Sequence, residues 1–302
     1  MSTSLESDLA RICCEETVAS LGLSRAPGWV QRLSRAAIAV PSRPFARTFA
    51  RFDRRIEEIG IPAAAGETLA SLGAPWRADA QAPATGALLV IANHPGAHDA
   101  LALIAALGRR DIMIIAADRA FLRALPTLSS RHLLLIPDEA DAPDRAIGVR
   151  RAVRHLRAGG ALLQFPAGRI EPDPAFLRPG EDPLGAWHAG AGLLLRATAG
   201  AGGRVVTAVV EGVHSPRVKR LFITRLAERR GITTLSMTIQ TALPIFDDVD
   251  VRVWISAPHM AADLVAAERD GGPGDGGTID DRLTGRLREL TGATLARRSG
   301  RA

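Results

Sequence analysis

Apolar positions in the first 80 residues recur at helical spacing. Leu5, Leu9, Ile12, Cys13, Val18 and Leu21 fall near one face and predict a first helix. Trp29, Leu33, Ala37 and Ile38 predict a second, opened by Pro27, and Phe45, Phe49, Phe52, Ile56 and Ile59 a third. A fourth runs from about Pro62 to Leu72, and the polar, proline-containing stretch 77–85 reads as a linker. From Gly86 the rhythm changes. Strand-like apolar runs at 88–92, 112–116, 132–136, 161–165, 205–210, 233–240 and 251–255 alternate with helix-like runs at 100–107, 119–125, 144–157, 185–198, 216–230 and 279–295. Strands alternating with helices predict an α/β fold: a central, largely parallel sheet flanked by helices, with an N-terminal helical extension. The expected organisation is a helical extension over 1–80, an α/β domain over 86–260, and a tail over 261–302. That tail holds a glycine-rich connector (271–277) and a C-terminal helix packed on the domain.

Such sheets collect ligands at the carboxyl ends of their strands. Asn93, His94, Pro166 and Gly168 each follow a strand end.

Composition narrows the partners. Hydrophobic residues make up 47% and charged residues 23%, an ordinary globular balance. The net charge of +6 is carried almost wholly by arginine, since Lys219 is the sole lysine. A basic surface suits nucleic acid, an anionic membrane or phosphorylated substrates, and equally an ordinary solvated face. The arginines show no nucleic-acid motif and no aromatic interleaving, so no nucleic-acid partner is expected. Arg43, Arg47, Arg51, Arg54 and Arg55 flank the phenylalanines of the third helix. That amphipathic helix either lies on an anionic lipid surface or packs its phenylalanines on the main domain with its arginines solvated. Cys13 and Cys14 are adjacent and cannot easily pair, so no disulfide framework exists and a reducing cytoplasm is expected. The polar, acidic N-terminus lacks a signal-peptide pattern, and no run approaches the ~18 apolar residues of a membrane span.

The densest chemistry lies in 88–99, where an apolar strand ends in Asn93-His94, a Pro-Gly turn follows, and Asp99 opens an apolar helical run. A histidine is the usual base for removing a hydroxyl proton, and a carboxylate on its other ring nitrogen fixes the tautomer. The same residues also read as a turn with Asp99 at the helix N-cap. His98 stands four residues after His94, a metal-ligand spacing on a continuous helix, but Pro95-Gly96 argues for a turn and no clear further ligand exists. With no Gly-x-Ser-x-Gly elbow and no plausible catalytic cysteine, a histidine base implies that the nucleophile belongs to the substrate. A second constellation, 163–172, ends a strand in Phe165-Pro166-Ala167-Gly168-Arg169, where Gly168 permits close backbone approach and Arg169 can clamp an anion.

These motifs resemble the phospholipid/glycerol acyltransferase family, of the 1-acylglycerol-3-phosphate acyltransferase type. Its first motif, Asn-His then four residues and Asp, is matched by Asn93 to Asp99. The third, Phe-Pro-Glu-Gly, is matched by Phe165-Pro166-Ala167-Gly168 with Arg169 after it. Residues 116–126 resemble the second motif region and 209–213 the fourth, so the likeness spans about 86–257. The resemblance implies an O-acyltransferase that moves a fatty acyl group from an acyl-CoA or acyl-carrier-protein thioester to a hydroxyl of a lysophospholipid or glycerolipid-type acceptor. It implies His94 as general base oriented by Asp99, and substrate contacts at Asn93, Arg119, Phe165, Pro166, Gly168 and Arg169; apart from the resemblance, Arg217 is a candidate by its fit to anion clamping, beside the plain reading of Ser215-Pro216 as a capped helix start. The thioester is a co-substrate, and neither cofactor nor metal is implied. Expected partners are the donor, acyl carrier protein, the lipid acceptor and an anionic membrane surface, with the protein peripheral at the inner face of the cytoplasmic membrane.

The chain departs from the family at two places. Ala167 replaces the third-motif glutamate, with Glu171 too far along to be read as its substitute, and 135–138 lack the second-motif arginine. Glycerol phosphate as acceptor is therefore open. The competing readings are a non-catalytic lipid-binding protein of the same fold and, less favoured, a metal-dependent hydrolase using His94, His98 and Asp99.

Overall fold

A computed structural model describes residues 2–137, 142–177, 180–229, 234–242, 246–270 and 277–299. Helices α1 (Ser2–Ser20), α2 (Gly28–Ile59) and α3 (Ile61–Ser71) lead into β1 (Trp76–Ala78) and β2 (Leu88–Ala92). Then come α4 (Asp99–Leu107), β3 (Ile112–Ala117), α5 (Ala120–Arg123), α6 (Pro126–Arg131), β4 (Leu133–Ile136), α7 (Ala142–Arg157) and β5 (Ala161–Gln164). The chain continues through α8 (Gly190–Gly200), β6 (Arg204–Glu211), α9 (Pro216–Arg220), α10 (Phe222–Arg229) and α11 (Thr234–Ala242). It closes with β7 (Val251–Ile255), β8 (His259–Met260), α12 (Ala261–Asp270) and α13 (Ile279–Ser299).

The strands form one sheet in the order β1-β7-β6-β2-β5-β3-β4, with β8 on β6. The run β6-β2-β5-β3-β4 is parallel, and β7 turns antiparallel to β6. All five residues of β2 are buried, as a strand covered on both faces requires. Leu88, Val90 and Ala92 face a core shared with α1 to α6, whereas Leu89 and Ile91 face a second core shared with α7, α8, α12 and α13. The connection leaving β2 through α4 therefore runs over one face, and the connection leaving β5 through α8 runs over the other. Sheets of this kind bind ligands in the crevice where neighbouring connections part in this way, which here is the carboxyl ends of β2 and β5.

Several elements differ from the sequence reading. The predicted second and third helices are one helix, α2, which continues through Pro41 and Pro44. Ser42 Oγ donates to Ile38 O at 2.8 Å beside the prolines, and α1 packs along the helix. The run 233–240 was expected as a strand, and its described part is helix α11: packing against α2, α9 and α10 outweighs the β-propensity of its threonines. The 216–230 run divides into α9 and α10, and helix α8 begins only at Gly190. Strand β1 lies partly in the stretch read as linker, and α12 was not anticipated. Residues 271–276 of the glycine-rich connector, Asp138 of the second-motif departure, and Thr233 lie outside the described residues.

The phenylalanines of α2 pack inward. Phe45 and Phe49 lie 5.4 and 5.5 Å from the Phe121 ring of α5, and Phe52 is buried. Arg43, Arg47, Arg51 and Arg54 are exposed, and Arg55 pairs with Glu58 and Glu67. Of the two readings of this helix, inward packing with solvated arginines is the one its residues 43–59 adopt.

Candidate active site

Strand β2 delivers Asn93 and His94 to the crevice. The Asn93 amide is fully buried; its Nδ2 donates to Val210 O at 2.9 Å and its Oδ1 accepts from Val210 N at 2.7 Å. The side chain thus adds one rung between β2 and β6. Asn93 is a candidate substrate contact from the sequence; in the structure both ends of its side-chain amide bond Val210 and hold the strand end.

After His94 the chain reverses at Pro95. Gly96 has φ +87° and Ala97 φ +55°. Two successive left-handed residues turn the chain back within a few positions, and for Ala97, which bears a Cβ, that conformation costs about 1–2 kcal/mol. The Asp99 carboxylate offsets it. Its Oδ2 accepts from Gly96 N at 2.7 Å and lies 2.7 Å from His94 Nδ1, while Oδ1 accepts from Ala100 N. Asp99 sits in the first turn of α4, where the helix dipole favours its negative charge. Helix N-cap and histidine partner are the two readings of Asp99 in the sequence; the structure makes it the histidine's partner and the closer of the turn at Gly96, while the N-cap position is His98, whose side chain makes no cap bond.

The His94 ring is 28% exposed and stacks on Phe165, with centroids 4.4 Å apart and planes at 28°. With Nδ1–H donated to Asp99, the lone pair sits on Nε2, which has no hydrogen-bond partner among the described residues. Burial pulls the imidazole pKa down, but the Asp99 charge and hydrogen bond, with the Glu171 charge, outweigh it and hold His94 above its ordinary value.

His98 faces away from this pair. Its Nε2 lies 3.2 Å from Gln240 Nε2 of α11, and Gln240 also donates to Val213 O at 2.8 Å and accepts from Ser215 N at 2.7 Å. Facing an amide donor, His98 Nε2 must be the acceptor, so the ring is neutral; burial pushes its pKa down to about 4. His94 and His98 therefore do not present their nitrogens to a common point.

The segment after β5 forms the facing wall. Pro166 and Ala167 are buried, while Gly168, at φ +61°, and Arg169 are exposed. A Cβ on Gly168 would lie 3.3 Å from His188 Nε2, so glycine lets the exposed His188 ring lie against the backbone there. The Arg169 guanidinium runs beside Gly185 and makes no ion pair among the described residues. Arg119 precedes α5 at the end of β3, two strand spacings or about 10 Å from β2. Arg217 in α9 pairs with Asp247 at 3.0 Å and Asp248 at 3.2 Å, with its guanidinium 5.9 Å from the Phe246 ring centroid. The structure thus brings His94, Asp99 and Phe165 into contact, sets Gly168 and Arg169 on the adjoining loop, and leaves Arg119 and Arg217 at neighbouring strand ends.

Two buried carboxylates here have no role in the sequence reading, which sets Glu171 aside and does not single out Asp173. Glu171 Oε2 accepts from His94 N at 2.9 Å, and Glu171 Oε1 accepts from Gly185 N at 2.7 Å and Trp187 Nε1 at 3.2 Å. Asp173 accepts from Ala175, Gly212, Val213 and His214 backbone N–H groups at 2.9–3.2 Å. The segment 171–173 therefore ties the end of β5 to the ends of β2 and β6. The available signal was the alternation Glu-Pro-Asp immediately after the strand exit.

The family model described as acyltransferase matches residues 77–211. No curated protein matches the chain. Among solved structures, the chain is similar to the crystal structure of the 1-acyl-sn-glycerophosphate (LPA) acyltransferase PlsC from Thermotoga maritima, at 14% sequence identity and a TM-score of 0.45, over 99% of this chain and 98% of that one.

Proposed function

We propose, from the premise that residues 77–211 are a segment of the acyltransferase family, that this protein transfers a fatty acyl group from a thioester to a hydroxyl of a lysophospholipid or glycerolipid-type acceptor. One observation carries the reading: His94 Nδ1 is held 2.7 Å from Asp99 Oδ2, which leaves Nε2 unprotonated at a partly open crevice. Nε2 takes the acceptor's hydroxyl proton as the oxygen attacks the thioester carbonyl. The resulting imidazolium is stabilised by Asp99, and the tetrahedral oxyanion collapses with cleavage of the C–S bond. The departing thiolate takes the proton from His94, so donor and acceptor exchange one acyl group for one proton and no acyl-enzyme forms.

Arg169 supplies an exposed cation next to the crevice, suited to a phosphate on either substrate. The donor is an acyl-CoA or an acyl-carrier-protein thioester, and the reaction calls for no further cofactor.

The protein works at the surface of an anionic membrane on the cytoplasmic side. No helix among the described residues is long and apolar enough to cross a membrane. Support for surface binding comes from α10, where Phe222 and Ile223 are 79% and 57% exposed between the exposed Arg220 and Arg225. Exposed apolar side chains flanked by cations suit the boundary between acyl chains and anionic headgroups.

The test offers purified protein a radiolabelled acyl thioester and a panel of lysolipids, beside His94→Ala and Asp99→Asn. Transfer by the wild type and its loss in both variants is the expected result. Full activity in His94→Ala sinks the reading.

A further inference from the structure

The crevice contains a carboxylate for which the reaction as written has no use. Glu171 is 4% exposed and makes four hydrogen bonds, two of them to one residue. Its Oε2 accepts from His94 N, and its own N–H donates to His94 O at 2.8 Å. Its Oε1 accepts from Gly185 N and Trp187 Nε1. His94 is the residue at which β2 has left the ladder. Asn93 is held on the β6 side by Val210, and His94 is held on the opposite side by Glu171. Position 167, where the resembled family carries glutamate, holds a buried alanine with no polar side-chain atom.

We propose that Glu171 is the positioning residue for His94: it clamps the backbone from which the imidazole projects and sets its negative charge behind the ring. The proposal rests on the reading of His94 as the base. Clamping matters because Phe165 and Asp99 fix the ring at its face and its Nδ1 edge, and Asp99 holds the following turn at Gly96 N, but neither bonds the His94 backbone. The aim of Nε2 also depends on where Cα sits, and small misplacements of a reacting group are costly in rate. Two carboxylates face His94, Asp99 from α4 and Glu171 from the segment after β5. Helix α11 carries no ionisable residue; its Met237 lies over Gly96 and its Gln240 on His98. The neighbouring Arg169 and His188 lie beside Gly185 and Gly168. Glu171 thus assists twice, by geometry before proton transfer and by charge when the imidazolium forms.

The test uses the full chain with Glu171→Gln, Glu171→Asp and Glu171→Ala. His94 is titrated by NMR on histidine-labelled protein without substrate, its resonance assigned by its loss in His94→Gln. The second readout is kcat, KM and their pH profile. In Glu171→Gln the His94 pKa falls, because the neighbouring negative charge is removed. The acid limb of kcat moves with it, and kcat drops about 10- to 100-fold with KM nearly unchanged. Glu171→Asp, which keeps the charge, restores the pKa more than Gln does. Glu171→Ala leaves three N–H donors without an acceptor; if it does not fold, the other two variants carry the test. A folded Glu171→Gln whose His94 titration and kcat profile superimpose on the wild type overturns the proposal, as does a lowered Tm as its sole effect. If His94→Ala still transfers acyl groups, the base reading fails while the NMR titration still reports whether Glu171 governs His94. If transfer needs His94 and Glu171→Gln is silent in both readouts, the clamp alone fails.

Discussion

Asp99 Oδ2 lies 2.7 Å from His94 Nδ1 and 2.7 Å from Gly96 N, so one oxygen orients the imidazole and closes the turn that carries it. Asp99→Asn keeps the size but sets its amide NH2 either against His94 Nδ1 and Gly96 N together or against Ala100 N, each of which donates to the native carboxylate. The expected loss in kcat is roughly 10²- to 10⁴-fold, from the wrong tautomer at His94. The Tm falls as well, because the turn loses a charged acceptor. Steady-state kinetics with a melting curve on the same preparation checks both, and wild-type kcat in a folded Asp99→Asn would falsify the orienting role.

The same pair sets the pH dependence. His94 is effective as a base only when neutral, and its pKa is held above its ordinary 6.5 by Asp99 and Glu171 against burial. Activity therefore climbs with pH through a value above 6.5, rather than being already at its plateau there. The stability linkage has the opposite sense. A raised histidine pKa stabilises the fold below 6.5, and that contribution is lost as pH rises through the folded-state value. A kcat/KM profile with its acid limb centred below 6.5 contradicts this.

His98 has the reverse linkage. Its pKa is pushed down to about 4 by burial, so the unfolded chain binds the proton first. Stability is complete above 6.5 and is lost as pH falls toward 4, by on the order of 3 kcal/mol from this residue alone. His98→Gln, which cannot be protonated, flattens the acid limb of a Tm-against-pH curve. An unchanged limb removes His98 as its cause.

Gly96→Ala meets two obstacles. The residue sits at φ +87°, and a Cβ would lie 2.5 Å from Met237 Sδ and 3.0 Å from Ile170 Cδ1. Met237 can move; the backbone cannot change region without shifting His94. A loss of about 1–3 kcal/mol by chemical denaturation is expected, with a larger proportional loss of kcat.

Membrane binding is separable from chemistry on α10. Phe222→Asp with Ile223→Asp replaces two side chains that are 79% and 57% exposed, so Tm holds within a few degrees. Co-sedimentation with anionic vesicles at low salt is expected to fall at least about tenfold, since both apolar anchors and local positive charge are offset. Equal sedimentation of variant and wild type assigns the contact to another surface.

The parallel core was legible in the sequence because β2, β3, β5 and β6 are continuous apolar runs bounded by glycine, proline or polar residues. His94 and Asp99 were legible for a local reason: five residues across a Pro-Gly turn suffice to bring them together. What escaped was non-local. Glu-Pro-Asp after the strand exit marks Glu171 as a candidate, but not that its carboxylate reaches His94, 77 positions away. Nothing near Asn93 reveals that its amide is spent on Val210. Helix α11 departs from the strand reading because its three threonines and Ile239 favour a strand by propensity, whereas packing against α2, α9 and α10 decides the outcome. The pairing of Arg217 with Asp247 and Asp248 was not legible because two further helices separate them along the chain.

The Asn93–Val210 rung also bears on how the chain is made. Its two residues are 117 positions apart, and both sheet neighbours of β2 follow it in synthesis. While the chain emerges, an entirely apolar strand waits with both edges open until β5 and β6 arrive, a segment for a chaperone to shield. Once the sheet closes, the amide hydrogens of His94 and Val210 are locked by side chains from distant parts of the chain. They exchange with solvent only when the whole sheet opens, so the slowest-exchanging amides of this fold are expected to include those at the mouth of its crevice.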